Sequence, residues 1–168
     1  IFRKVHRMMG AVLFIFFFVV AITGVLLGWK KNTNGWLLPV TSKGTSTNLA
    51  VWKPIAALHT IADSILLNQV DKTLSTDLDR IDIRKEKGIV KFVYAKHYWE
   101  VQLDGATGNV LQVNLRKSDF IEDIHDASYL DTYFNTKGEP IKLTYTLIMG
   151  VALFLFCSTG FWLWYGPK

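Results

Sequence analysis

Two stretches of this chain constrain its fold more than anything else in it. Met8 to Trp29 and Leu143 to Tyr165 each run without a charged side chain. A helix needs ~20 apolar residues to cross ~30 Å of hydrocarbon, and both runs reach that length. They are read as two transmembrane helices. The first is too long for the apolar core of a cleaved signal, no small-residue cleavage pattern follows it, and Lys30, Lys31 and Asn32 stop it sharply.

The net charge of +5 needs an owner. All 14 acidic residues lie between the two runs, where Lys and Arg nearly balance them. The excess sits on Arg3, Lys4, Arg7 and Lys168, at the outer ends of the apolar runs. Cations so placed meet lipid headgroups, which makes membrane lipid the expected partner and excludes nucleic acid. Basic residues stand on both sides of the first run, and a long intervening domain is nearly exempt from the positive-inside rule. Charge alone therefore leaves orientation open. Cys157 is the only cysteine and lies inside the second run, so one chain builds no disulfide and no CxxC site.

The expected organisation is a first membrane helix with its basic flank over 1–31, one soluble domain over 32–140, and a second membrane helix over 141–168. Asn32 to Ser46 is rich in Asn, Thr, Gly and Ser and reads as a loop. "WKPIAALHTIADSILLNQ" reads as a helix, with Pro54 in its first turn and Ile55, Leu58, Ala62, Ile65 and Leu66 on one face. Four period-two segments follow, "DRIDIR", "GIVKFVY", "YWEVQLD" and "NVLQVNL". The gaps between them are hairpin-sized, which predicts an antiparallel sheet. Alternation predicts one buried face and one wet face, with the Pro54 helix over the buried one. Trp99 and Val101 fall on the covered face and Glu100 on the wet one. "SDFIEDIHDASYLDTYF" reads as one more helix, ended by "NTKGEP".

The two apolar runs end alike, in "AITGVLLGW" and "CSTGFWLWYG", with Thr23-Gly24 and Thr159-Gly160 near the last turns. Small residues let helices approach closely in lipid, so these pairs are read as packing points. Four histidines remain. His6 stands at the mouth of the first run, where an imidazole serves either as one more interfacial anchor or as a ligand. His125 sits ahead of the second run and is either packed on an amphipathic helix or a ligand. His59 belongs to the rim of the Pro54 helix and His97 to a solvated hairpin turn. Asp119, Glu122, Asp123, His125 and Asp126 cluster in sequence, as they do on many solvated helices. There is no HExxH, GxSxG or Walker sequence.

The combination is recognisable. "FRKVHRMMG" opens a membrane helix ending in Thr-Gly; "YWEVQLDGATGNVLQV" follows in the soluble segment; "IHDAS" then leads to a helix ending "STGFWLWYGPK". Together these resemble the PepSY-associated transmembrane protein family in a short two-helix form. The resemblance implies a membrane α+β fold, two transmembrane helices flanking one extracytoplasmic PepSY-like domain. It implies the bacterial inner membrane, with both termini cytoplasmic and the middle domain periplasmic. Larger relatives include ferric-siderophore reductases that hold b-type haem on histidines. By that likeness His6 and His125 are the candidate ligands of haem b, in a protein moving electrons across the membrane for reduction of ferric or siderophore-bound iron. At half the reductases' length, this chain needs a homodimer or a larger membrane complex to pair histidines at one level. The alternative reading is a non-catalytic PepSY subunit whose soluble domain binds or regulates a partner protein.

Overall fold

The computed structural model describes residues 2–166. In chain order the elements are α1 (Phe2–Trp29), α2 (Ile55–Gln69), β1 (Leu78–Arg84), β2 (Ile89–Tyr94), β3 (Trp99–Asp104), β4 (Val110–Leu115), α3 (Lys117–His125), α4 (Ser128–Phe134) and α5 (Pro140–Tyr165). They form two compact units: α1 with the chain from Phe120 onward, and Lys30–Asp119.

In the first unit, α1 and α5 form an antiparallel pair. Phe2 meets Trp162, His6 meets Phe156, and Phe16 meets Tyr145, so the contacts run in opposite chain directions. Both helices are long and apolar enough to cross a membrane. Their outward side chains are large and uncovered, Phe14 at 61% and Leu147 at 68% exposure, which suits lipid and not water. Gly10 is a close-approach point, where a Cβ would meet the Phe156 ring at 3.2 Å.

The helix expected over "SDFIEDIHDASYLDTYF" is two helices. Ala127 takes a left-handed conformation (φ 65), and Asp126 accepts from the Ser128 N–H at 3.0 Å and the Ser128 hydroxyl at 2.6 Å. That Asx turn competes with helical hydrogen bonding and ends α3 at His125. Asp131 of α4 then caps α5, its carboxylate accepting from the backbone N–H groups of Ile141 (3.1 Å) and Lys142 (2.7 Å). Pro140 opens α5, where its missing N–H costs nothing.

The second unit holds a four-stranded antiparallel sheet in the order β1-β2-β3-β4. The strands expected from alternation form, and so does the helix. Leu58, Ala62 and Leu66 of α2 are buried against Val90, Phe92, Tyr94, Val101 and Leu103. The turn between β3 and β4 is built by Asp104, which accepts from the N–H groups of Ala106 (2.8 Å) and Thr107 (3.1 Å), with Gly108 at φ +77. Because α2 lies over β3 and β4, the edge strand is left open. Ile81 and Ile83 pair with core residues Phe92 and Val90, yet stay 38% and 52% exposed.

The expectation of a wet second face is corrected. Lys91, Glu100, Gln102 and Asp104 on that face are all buried. The cover is the irregular segment after α1. Gln102 donates to Val40 O (3.0 Å) and accepts from Ser42 N–H (2.9 Å); Asp104 accepts from Thr45 N–H (2.8 Å). Gly44 crosses so tightly that a Cβ there would run into the Gly88 carbonyl. A polar face can be buried when its groups bond one another. Glu100 does so, accepting from Arg116, from Gln102 (2.6 Å) and, more weakly, from Lys91 (3.5 Å).

Candidate functional site

His6 lies in the second turn of α1, and its Nδ1 is 2.9 Å from the Thr159 hydroxyl of α5. His125 is the last residue of α3, and its Nδ1 is 2.7 Å from the Thr23 hydroxyl of α1. The two sites repeat one plan, a histidine held by the threonine of a Thr-Gly pair on another helix.

Each threonine hydroxyl also lies beside a carbonyl of its own helix, which bears on the ring tautomer. A threonine hydroxyl has one proton. Thr23 donates to the Val19 carbonyl at 2.7 Å, and Thr159 donates to the Leu155 carbonyl at 2.8 Å, the habit of a helical threonine in an apolar setting. With its proton on that carbonyl, each hydroxyl can accept from the histidine, the tautomer in which Nδ1 carries the hydrogen. In the neutral ring this leaves Nε2 as a bare lone pair. Neither Nε2 has a hydrogen-bond partner among the described residues.

The glycine that follows each threonine seats the ring. A Cβ on Gly160 would lie 3.3 Å from His6 Cε1, and one on Gly24 would lie 3.7 Å from His125 Cε1. Gly160 is thus a close-packing point, whereas the contact at Gly24 is an ordinary one, and at both an imidazole of the same chain is what approaches. Phe156 stacks on the His6 ring with centroids 4.1 Å apart. Asp126, next to His125, is engaged elsewhere. It bonds Ser128, and Lys142 Nζ lies 3.2 Å away. Burial pushes its carboxyl up, but the Ser128 and Lys142 contacts outweigh that and hold it below the usual range.

The other candidates disperse. His59 stacks on Phe92 (5.6 Å) at the rim of the core, with Nε2 3.2 Å from Asp63. His97 is not merely solvated; its Nε2 bonds the Ser75 carbonyl at 2.9 Å. In the acidic cluster, Asp119 accepts from Arg116 and Arg80, both at 2.7 Å, and Asp123 accepts from Ser128 at 3.0 Å. No group of three or more potential metal ligands comes together among the described residues. Sequence reasoning missed Thr23 and Thr159 as histidine partners. The signal was there, since two histidines near membrane runs were matched by two Thr-Gly pairs.

A two-helix hairpin with lipid-facing apolar surface, joined to a helix-and-sheet domain, defines a membrane protein with two spanning helices. A family model described as PepSY-associated TM region matches residues 3–168, and the chain belongs to that family. No curated protein and no solved structure matches it.

Proposed function

We propose that this is a haem-binding membrane protein that carries electrons across the bilayer, with His6 and His125 as axial ligands. The observation that carries the reading is the pair of clasped histidines, each with Nδ1 at hydrogen-bond distance from a threonine hydroxyl and Nε2 without a partner among the described residues. A metal-bound histidine needs a hydrogen-bonded second nitrogen and a fixed ring, and both rings have them. The surroundings suit a large apolar cofactor, with phenylalanine stacked on His6 and glycine at both ring edges. Haem held by two histidines supplies reversible one-electron chemistry.

About 25 Å of helix separates His6 from Thr23 at ~1.5 Å rise per residue, so the two histidines of one chain do not share one iron. In a two-fold homodimer, His6 meets its mate at one membrane level and His125 meets its mate at the other. With both termini cytoplasmic in a bacterial inner membrane, the His125 pair faces the periplasmic side. Family resemblance supports ferric or siderophore-bound iron as the electron acceptor.

The second reading, a non-catalytic subunit whose soluble domain binds a partner, is favoured by the open edge strand with exposed Ile81 and Ile83. An absorption spectrum of the purified protein in detergent separates the two. The haem reading expects a Soret band with sharp, split α and β bands on reduction. A colourless protein that does not take up added haemin discards it in favour of the partner-binding subunit.

A further inference from the structure

The second unit contains a cavity of about 430 Å³ whose wall the haem reading does not use. On one side are residues 38–41 of the covering segment, which supply an apolar wall of Leu38, Pro39 and Val40. On the other is the polar face of the sheet. Five cations line the cavity, Lys31, Arg84, Lys87, Lys91 and Arg116, against two acids, Asp82 and Glu86.

Some of these charges are already spent on ion pairs. Arg116 is met by Asp119 (2.7 Å) and by Glu100. Arg84 lies 3.6 Å from Asp82. Among the described residues, Lys87 reaches only a neutral group, the Thr41 carbonyl at 3.3 Å. Lys91 is the unusual one. It is 4% exposed, and its single acceptor among the described residues is Glu100 at the outer limit of a hydrogen bond, 3.5 Å. Glu100 is already taken by Gln102 and Arg116. An ammonium has three donors, so a buried cation here faces the cavity with donors to spare. Burial drives its pKa down against the raising influence of Glu100, as expected of an ammonium short of partners.

We propose that this cavity is a phosphate site, taking a phosphoryl group on a small organic body with Lys91 as its buried donor. Lys31 and Lys87 add charge without a competing carboxylate bond among the described residues, and with Lys91 they outnumber Glu86, the lining acid left without an ion pair among those residues. The apolar wall accommodates the organic part. Two sources offer this chemistry, an anionic lipid headgroup and a soluble phosphate ester. Lys31 follows the last residue of α1 by two positions, which brings the end of the membrane span close in sequence to the site.

The test uses the full chain and reads its thermal unfolding midpoint. In detergent, inorganic phosphate should raise the wild-type midpoint above that in potassium chloride of equal ionic strength, as a ligand of the folded state does. Lys91→Met should weaken the apparent phosphate affinity about tenfold or more, the scale of one charge-assisted hydrogen bond. It should still fold, because Glu100 keeps Arg116 and Gln102. Lys31→Gln, remote from that network, should weaken phosphate severalfold and keeps the test decisive if Lys91→Met fails to fold. Nanodiscs of phosphatidylglycerol and of phosphatidylcholine then separate the sources. Loss of the phosphate response only in phosphatidylglycerol indicates a headgroup in the site; a response retained in both indicates a soluble ester. Equal midpoints in phosphate and chloride, or variants that respond as the wild type does, overturn the proposal.

Discussion

Glu100→Lys should be among the most damaging single changes in the soluble unit, although alternation places Glu100 off the hydrophobic face. The side chain is 1% exposed and is the common acceptor of Arg116, Gln102 and Lys91. Removing one member of a buried ion pair costs ~3–5 kcal/mol, because the partner charge is left uncompensated. Here two buried cations lose their shared anion, and the variant adds a third beside them. Small domains hold only ~5–15 kcal/mol in all, so the unit should be largely unfolded. Glu100→Gln keeps the acceptor oxygen for Gln102 or Lys91 and should cost less. Val101→Asp, which puts an unpaired charge under α2, should match Glu100→Lys in severity. The assay is urea unfolding of the full chain in detergent, followed by tryptophan fluorescence, since Trp99 adjoins Glu100 and Trp52 packs on the core. A Glu100→Lys midpoint equal to wild type would mean that the face is wet and that residues 37–45 do not cover it.

Thr23→Val and Thr159→Val keep side-chain shape but remove the acceptor for each Nδ1–H. Haem affinity should fall ~10–100-fold at the affected site, the usual effect of losing a ligand's hydrogen-bond partner, with helix content unchanged in circular dichroism. Asp119 sets an acid limit on the soluble unit. Burial raises its pKa, but Arg116 and Arg80 more than offset that and hold it below its ordinary value. A depressed carboxylate contributes stability above the unfolded value of ~3.9 and loses it as pH falls through the folded value, so the unfolding midpoint should drop below about pH 4. Asp119→Asn should flatten that drop. A cytoplasm-dependent reporter fused after residue 168 should be active, and activity of a periplasm-dependent one there would reverse the orientation.

What the sequence made legible follows from periodicity. The apolar runs, the four alternating strands and the α2 stripe each repeat a pattern over many residues, and each formed. Two features had no such pattern. The cover on the polar face comes from "LPVTSKGT", which reads as loop because it is one; its bonds to Gln102 and Asp104 lie about sixty residues away in the chain. The break at Ala127 depends on Asp126 bonding Ser128, a local contest that helical composition outvotes on paper. At the histidines, the residue types were visible but the crossed pairing was not. His6 belongs with Thr159 and His125 with Thr23 only once α1 and α5 lie antiparallel.

Haem content per chain across the four histidine variants addresses the ligand assignment most directly. Quantified as pyridine haemochrome against protein, the wild type should hold about one haem per chain, as the proposed two-fold dimer with one haem at each histidine pair requires. His6→Ala and His125→Ala should each lower that to about half, and the double variant should bind none. His59→Ala and His97→Ala should leave the ratio unchanged, because those rings are engaged with Phe92 and with the Ser75 carbonyl. Full haem content in both His6→Ala and His125→Ala would contradict the assignment and return the two clasped histidines to a purely structural role.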